Sequence, residues 1–225
     1  ERRDEELLSI IPRNPRRSYD PRKILEHVLD RDSFFEIAPH HGRARITGLA
    51  RANGYPIGVM INNPNHLGGS TDGAAGEKAM RLWSLCDTFH LPVVSFVDEP
   101  GFMVGMDAQN AGIVRAGARM VAAQCRSQSP WISFYMKQAY GVAGQMHHRP
   151  TGMYHRYAWP SGDWGSLPIE GGIEVAYKQD LADADDPESL LEEIRDRLNR
   201  VRSPHRAAEF FEIEEIIDPR DTRPL

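Results

Sequence analysis

Residues 131–148 read WISFYMKQAYGVAGQMHH, a stretch that joins an apolar run to a glycine-containing turn. Residues 131–136 are mostly apolar or aromatic and too few for a typical helix, which predicts a strand buried on both faces. Gly141 and Gly144 follow, and glycine accepts backbone angles that allow a tight turn. A helix beginning there leaves the N–H groups of Val142 and Ala143 without an intrahelical acceptor. Such a corner can stabilise negative charge on an oxygen atom, although an ordinary β–α connection shows the same pattern.

Composition excludes several classes of protein. The 225-residue chain is 40% hydrophobic and 26% charged and carries a net charge of −5. Its length suits one large domain, and its negative charge argues against nucleic-acid binding. No apolar run approaches the roughly 20 residues of a membrane span. Cys86 and Cys125 lack CxxC spacing, so we expect buried free thiols in a reducing cytosol rather than a disulfide or a metal site.

Residues 1–19 differ in character from the rest of the chain. They carry prolines and arginines but no targeting pattern, so we interpret them as a linker or the tail of a preceding segment in a longer polypeptide. We therefore place one domain at residues 20–225. Asp20-Pro21 opens it with a capping carboxylate and a proline at the first helical position.

The middle of the chain alternates between strand and helix patterns. Residues 43–52 and 55–61 predict a hairpin at Asn53-Gly54. A helix from Asp72, a strand at 92–97 and a helix around 113–121 follow, which indicates an α/β fold with largely parallel strands. The residues expected on the inner faces of the two helices are Ala75, Ala79, Leu82, Trp83, Cys86, Phe89, Ile113, Gly117, Met120 and Val121.

The last third is less regular. We expect a strand at residues 153–159, a turn at 160–165, a short helix at 170–179 and an extended tail at 210–225. Asp186-Pro187 opens a further helix. Its inward residues are predicted to be Leu190, Leu191, Ile194, Leu198 and Val201.

Some side chains suggest chemistry but have simpler interpretations. Asp98-Glu99 could pair a general acid with a base, but we favour a turn, because Pro100-Gly101 follows. Lys137 could meet a carboxylate, and we favour a surface lysine at a strand end.

The other candidates are histidines and glycines. Adjacent His147 and His148 diverge on a helix and make a poor metal pair, so no metal is expected. Gly68-Gly69 precedes a helix but lacks a P-loop lysine pattern, so we do not expect it to hold phosphate.

Several motifs occur in a characteristic order. They are the Asn-Pro loop with Gly68-Gly69, Glu77-Lys78-Ala79, Cys86-Asp87, residues 96–102 (FVDEPGF), residues 112–118 (GIVRAGA), Ala139-Tyr140-Gly141, Ala158-Trp159-Pro160 and residues 217–223 (IDPRDTR). Together they resemble the carboxyltransferase (β) subunit of biotin-dependent acyl-CoA carboxylases, of the propionyl-CoA carboxylase β type. The resemblance begins near Ser18 and covers the carboxyl-terminal half of that subunit.

This resemblance implies a crotonase-like (ClpP/crotonase) fold, a single-domain ββα superhelix, with oxyanion holes of backbone amides. The family's carboxyl-half hole is a Gly-Ala dipeptide, and Val142 and Ala143 occupy those positions here. The family often has an aspartate two residues beyond that alanine, and this chain has Gln145. The expected substrate- or biotin-binding residues are Gly101, Phe102, Tyr140, Gly141, Gly144 and Gln145.

The implied reaction moves CO₂ from carboxybiotin to the α-carbon of an acyl-CoA, with the biotin enolate held by the Val142 and Ala143 amides. The implied partners are an amino-terminal CoA-binding half and a biotin carboxylase and biotin carrier subunit, within a homo-oligomer in the cytoplasm or an organelle matrix. Neither nucleic acid nor membrane is expected. Two alternatives stay open. One is an acyl-CoA decarboxylase or other crotonase-type enzyme, and the other is a non-catalytic assembly subunit.

Overall fold

The hairpin at Asn53-Gly54 begins the antiparallel part of one mixed sheet. The computed structural model describes residues 2–14, 17–166 and 172–225, apart from the side chain of Val175. Within those residues the strands are β1 (Phe35–Ile37), β2 (Arg45–Ala52), β3 (Tyr55–Asn62), β4 (Val93–Glu99), β5 (Trp131–Tyr140), β6 (Tyr154–Ala158), β7 (Asp163–Gly165) and β8 (Glu215–Ile216).

Helices connect and cover these strands. They are α1 (Pro21–Val28), α2 (Gly73–Phe89), α3 (Met106–Asn110), α4 (Ile113–Arg126), α5 (Gly141–Gly144), α6 (Gly172–Ala176), α7 (Lys178–Asp183), α8 (Pro187–Val201) and α9 (Pro204–Glu209). Short 3-10 turns lie at Glu5–Leu8, Leu67–Gly69, Gln145–His147 and Pro219–Thr222.

Local sequence signals explain most element boundaries. Asn53 and Gly54 both have positive φ, 50° and 83°, as the tight hairpin turn requires. Asp20 and Asp72 cap α1 and α2 by accepting hydrogen bonds from the N–H groups of Arg22 and Ala75. Asp186 caps α8 in the same way through Ser189.

The sheet order is β1-β2-β3-β4-β5-β6-β8, and β7 also pairs with β5. β1, β2 and β3 pair antiparallel, whereas β3, β4, β5, β6 and β8 run parallel. Because β4 and β5 are parallel neighbours, the segments that follow them emerge at the same edge of the sheet. Ligands of open parallel sheets bind at such carboxyl-terminal edges.

Apolar side chains cover both faces of the central strands. Phe96 and Phe134 stack at 5.5 Å on the face that packs against α1. On the other face Trp131 contacts Trp83 of α2, with ring centroids 5.4 Å apart. Every residue of β4 is buried. Residues 131–136 of β5 are buried except for the half-buried Ile132, which confirms the buried strand predicted there.

Residues before Asp20 pack on the domain. Leu7 is buried in the core cluster that contains α1. The Arg2 guanidinium donates to the carbonyl oxygens of His27 and Leu29 at 2.9 and 2.7 Å. That this segment is a linker from a preceding part of the polypeptide stays a prediction.

The structure corrects several details of the sequence analysis. Residues 163–165 form β7 rather than part of a turn, because they pair with the end of β5. The first residues of the helix predicted at 170–179 lie outside the described residues, and the remainder contains α6 and the beginning of α7. The side chains predicted to be buried but found exposed are Phe89, Val121, Cys125 and Val201.

Candidate active site

The chain turns sharply where β5 ends. Gly141 has a φ of +58°, which redirects the backbone from the strand into α5. A Cβ atom at Gly144 would lie 2.6 Å from the carbonyl carbon of Ala139, so α5 packs directly against the end of its own strand. A side chain at Gly144 would force these backbone segments apart. The strand–turn–helix corner expected from the sequence is therefore present.

Val142 and Ala143 lie in the first turn of α5. Neither N–H group has a hydrogen-bond partner among the residues that the structure describes, as the beginning of a helix predicts. The Val142 side chain is 62% exposed, whereas the Ala143 methyl group is buried. Two successive amides at a partly exposed helix start can donate hydrogen bonds to a negatively charged oxygen.

The loop after β4 adjoins this corner. Gly101 has a φ of +119°, and a Cβ atom built on it would lie 4.0 Å from the Tyr140 carbonyl oxygen. The structure therefore brings Gly101 and Tyr140 together. Phe102 takes a different direction, because its ring packs against Gly117 of α4. A Cβ atom built on Gly117 would lie 3.2 Å from Phe102 Cζ.

The Tyr140 side chain points into the protein. Its hydroxyl donates to Asp163 Oδ2 at 2.5 Å and accepts from Arg202 Nη2 at 2.6 Å. Burial and the Asp163 carboxylate raise the pKa of this hydroxyl well above its ordinary value. Tyr140 therefore contributes its main chain to the corner, and its hydroxyl anchors the strand end.

Gln145 follows α5 and is exposed. Its carbonyl oxygen accepts a hydrogen bond from Gln124 Nε2 of α4 at 2.7 Å, which ties the backbone of this turn to the neighbouring helix. The side-chain amide of Gln145 is thus presented at the surface next to the Val142–Ala143 corner, on a fixed backbone.

Glu99 lies beneath the corner and is fully buried. Its Oε2 accepts from Arg45 Nη2 at 2.6 Å, Thr71 Oγ1 at 2.6 Å and Asn62 Nδ2 at 3.0 Å. Its Oε1 accepts from the Gly101 N–H at 3.1 Å. Burial opposes ionisation, but Arg45 and the hydrogen bonds to the carboxylate lower the pKa of Glu99 to about 2.

His147 joins the same network. Its Nδ1 lies 2.8 Å from Ser95 Oγ, and its Nε2 lies 3.1 Å from Arg45 Nη1 and 3.4 Å from Glu99 Oε2. Burial and the Arg45 charge lower the pKa of His147 to about 4, so the imidazole is neutral at neutral pH. Arg45 can only donate, so Nε2 accepts and Nδ1 carries the proton toward Ser95.

Asp98 makes a different set of contacts. Tyr19 donates to its Oδ2 at 2.9 Å, the Gln138 N–H donates to its Oδ1 at 3.2 Å, and Lys137 Nζ lies 4.0 Å away. Burial raises the pKa of Asp98 despite the Lys137 charge. The prediction of a turn at Asp98-Glu99 is wrong, because both residues lie at the end of β4. The prediction that Lys137 is a surface lysine is also wrong, because its side chain is only 12% exposed.

The Arg45–Glu99–His147 network was missed in the sequence. An arginine between the apolar residues Ala44 and Ile46, at the start of a predicted strand, was the available signal, since charged residues are rarely buried unless paired. Its partner lies 54 positions away along the chain. Nothing local in the sequence connects the two residues.

The remaining candidates do not join the corner. Gly69 packs against the Asp98 carbonyl group, because a Cβ atom built on Gly69 would lie 3.2 Å from the Asp98 carbonyl oxygen. In the described part of the chain, no three metal-ligating side chains form a group that could hold a metal ion. No described helix is long and apolar enough to cross a membrane.

Comparison with known proteins gives consistent matches. The profile of the carboxyl transferase domain matches residues 1–224. The carboxyltransferase subunit of propionyl-CoA carboxylase from Haloferax mediterranei is 34% identical over 228 residues, covering 99% of this chain and 44% of that protein. The methylmalonyl-CoA decarboxylase α subunit of Veillonella parvula is 31% identical over 224 residues, covering 99% of this chain and 43% of that protein.

A solved structure shows the same architecture. Transcarboxylase 12S, described as a hexamer with methylmalonyl-coenzyme A bound, is 31% identical and has a TM-score of 0.90, covering 99% of this chain and 43% of that chain. The chain thus spans less than half the length of these relatives. The resemblance found in the sequence is confirmed: the chain belongs to the carboxyl transferase domain family and has its crotonase-like α/β fold.

Proposed function

We propose that this chain is the biotin-binding half of a biotin-dependent acyl-CoA carboxyltransferase. The observation that carries the proposal is the pair of amides at Val142 and Ala143, which have no partner among the described residues and lie at the carboxyl-terminal edge of the parallel part of the sheet. These donors fit an acceptor such as the ureido oxygen of biotin. When bound, biotin supplies the activated carboxyl group that is transferred to the α-carbon of an acyl-CoA.

The contribution of the corner is electrostatic. The Val142 and Ala143 amides stabilise negative charge on the bound oxygen without reorganising, because α5 and the Gly141 turn already fix their direction. Neither a protein nucleophile nor a titrating side chain at the corner is required. Positioning of the two reactants supplies much of the remaining rate enhancement.

The other expected site residues surround these donors in the proposal. Gly144 allows close approach of backbone, the positive φ of Gly101 shapes its loop, Gly141 sets the turn, and Tyr140 anchors it. Gln145 faces outward beside the corner, and we propose that it borders the acyl group. Phe102 supports the Gly101 loop from beneath through Gly117.

The proposal requires partners. We propose an amino-terminal CoA-binding half on the same or another chain, a biotin carrier with its biotin carboxylase, and assembly into a homo-oligomer. The free thiols of Cys86 and Cys125 support a reducing compartment, such as the cytoplasm or an organelle matrix.

The test is an assay of the complete enzyme with carboxylated biotin carrier and a series of acyl-CoA thioesters. We expect a carboxylated acyl-CoA product whose formation stops when avidin masks the biotin. Absence of product with every thioester, or product formation that avidin does not affect, would overturn the proposal.

A decarboxylase is the second candidate, because the Veillonella relative named as one matches this chain as extensively as the carboxylase does. The biotin bound at the same corner would then receive the carboxyl group from the acyl-CoA rather than donate it. Incubation with a carboxylated acyl-CoA and unloaded biotin carrier separates the two directions. Faster transfer to biotin than from it under matched concentrations favours the decarboxylase.

A further inference from the structure

One buried ion pair, Arg45 with Glu99, connects the two segments that form the candidate site. Glu99 Oε1 holds the Gly101 N–H at 3.1 Å, and Gly101 adjoins Tyr140 at the start of the corner. Glu99 Oε2 accepts from Arg45, which also donates to His147 Nε2 at 3.1 Å, three residues after the corner helix ends. The loop after β4 and the turn after β5 therefore share one point of attachment in the interior.

The carboxylate is itself fixed in place. Arg45 from β2, Asn62 from β3 and Thr71 all donate to its Oε2. Thr71 also binds the loop through its main chain, since its N–H donates to Gly101 O at 2.9 Å and its carbonyl accepts from Met103 N at 3.0 Å. Side chains held by several hydrogen bonds keep one rotamer, and such surroundings hold a site within the tolerances that catalysis needs.

His147 is held with equal specificity. Arg45 donates to its Nε2, and its Nδ1–H donates to Ser95 of β4. Ser133 of β5 donates to its carbonyl oxygen. The end of the corner segment is thus bound to both neighbouring strands as well as to the Arg45–Glu99 pair.

We propose that Glu99 and His147, held by Arg45, are positioning residues that fix the Gly101 loop and the Val142–Ala143 amides relative to each other. The inference rests on the proposed function of those amides. Neither side chain touches substrate. Glu99 sets the loop on one side of the corner, and His147 sets the turn on the other.

A buried ion pair is a weak argument for stability, because apolar residues of similar volume often replace one without loss. Because both charges of such a pair can often be removed together without unfolding a protein, the positioning role can be tested separately from stability. The double variant R45M/E99L removes both charges and also the acceptor of the Gly101 N–H. The matched variant R45M/E99Q removes the same charges but keeps an amide oxygen for Gly101. Its NH₂ group then faces Thr71 Oγ1, which can accept a hydrogen bond.

Both variants are assayed for carboxyl transfer in the complete enzyme, and their melting temperatures are compared. We expect kcat of R45M/E99L to fall about 10²-fold, the cost of misplacement near an ångström. R45M/E99Q should stay within about tenfold of the parent, and KM for acyl-CoA should stay unchanged in both. Equal kcat in the two folded variants would overturn the positioning role of Glu99.

Ser95→Ala tests the His147 part with the loss of a single oxygen atom, and it applies even where R45M/E99L does not fold. We expect its kcat to fall about tenfold at a nearly unchanged melting temperature, because the imidazole loses one of its two holding bonds. An unchanged kcat would overturn the role of His147. A parental enzyme without transfer activity would instead overturn the proposed function, so the two failures are distinguishable.

Discussion

Val142 places a branched side chain where the proposed chemistry uses only a main-chain N–H. Val142 is 62% exposed and its side chain is stiff about χ1, so we expect the side chain to border the approach to its own amide without blocking hydrogen-bond donation. Ala143 is buried, so we do not expect its side chain to border that approach. At the residue scale, the proposed function therefore assigns access and selectivity to the side chains at the corner and hydrogen-bond donation to its backbone.

Gln145 is the residue that we expect to influence substrate choice. If its exposed side chain borders the acyl group, then Gln145→Asp and Gln145→Ile should change the relative kcat/KM among acyl-CoA chain lengths. We expect a change of roughly 10–200-fold, because one methylene in a pocket is worth only about 1–3 kcal/mol. The measurement is competition between thioesters in the complete enzyme.

Replacement of Gln128, which is exposed two residues after the end of α4, with Asp and Ile is the matched control. It should leave the ranking of thioesters unaltered. If the Gln145 variants also keep the parental ranking, Gln145 does not border the acyl group.

At the scale of elements, the turn Gln145–His147 links stability to pH. Burial and Arg45 lower the pKa of His147 from its ordinary value of 6.5 to about 4. Between these values the unfolded chain binds a proton that the folded chain does not, so stability falls as pH falls. Glu99, with its pKa lowered to about 2, stays charged over the same window. From about pH 7.5 to about pH 5, His147 should account for a loss of about 2 kcal/mol.

Urea unfolding of the parent and of His147→Gln across this pH range measures the effect. The variant should lose less stability than the parent as the pH falls, even though its absolute stability is lower. His205→Gln, at an exposed position of α9, should retain the parental pH dependence. Identical pH dependence in the parent and in His147→Gln would contradict the assignment of a neutral buried imidazole.

Several secondary-structure elements could be predicted from the sequence. The hairpin at Asn53-Gly54 and the helices capped by Asp20, Asp72 and Asp186 were predicted correctly, because each signal lies within a few residues of its effect. The strand ending at Tyr140 was also predicted, although it is longer than its apolar run. Its last residues are extended because they pair with β4 and β7, and such pairing is not visible locally.

Asp98-Glu99 shows why the rest was missed. Followed by Pro-Gly, two acidic residues indicate a turn on local grounds. The parallel sheet extends β4 through Glu99, and Arg45 and Lys137 supply the charges that allow burial. Those partners come from distant segments. The corner could therefore be predicted from one stretch of sequence, but the network beneath it could not.

At the scale of the whole molecule, apolar side chains remain exposed on the helices that flank the sheet. Phe89 at the end of α2 and Val114 on α4 are exposed, and Phe35 of β1 is too. Phe89 borders a surface depression of about 840 Å³ together with Leu85 and Ile37. Large exposed apolar patches are uncommon in monomers, so we expect self-association through α2 and α4.

Light scattering of the purified protein should show at least a dimer. Phe89→Ser should shift the equilibrium toward monomer, whereas Phe211→Ser, at an even more exposed position after α9, should not. A stable monomer across a wide range of concentrations would count against the expected assembly.

The most direct test concerns the Ala143 amide, and it uses Ala143→Pro in the complete enzyme. Proline removes the N–H, and its fixed φ is tolerated in the first turn of a helix. Ala143→Gly keeps the donor and adds no atoms to a buried position, so it is the control. Because proline also restricts the residue before it, a melting curve and a crystal structure must first show that Val142 and the corner are intact.

The measurement is the rate of carboxyl transfer from the biotin carrier to acyl-CoA. Our account predicts that an intact Ala143→Pro enzyme loses about 10²–10³ in rate, the usual cost of one missing oxyanion donor, while Ala143→Gly stays within about tenfold of the parent. Transfer at the parental rate by a structurally intact Ala143→Pro enzyme would contradict it, because the corner would then be only a turn.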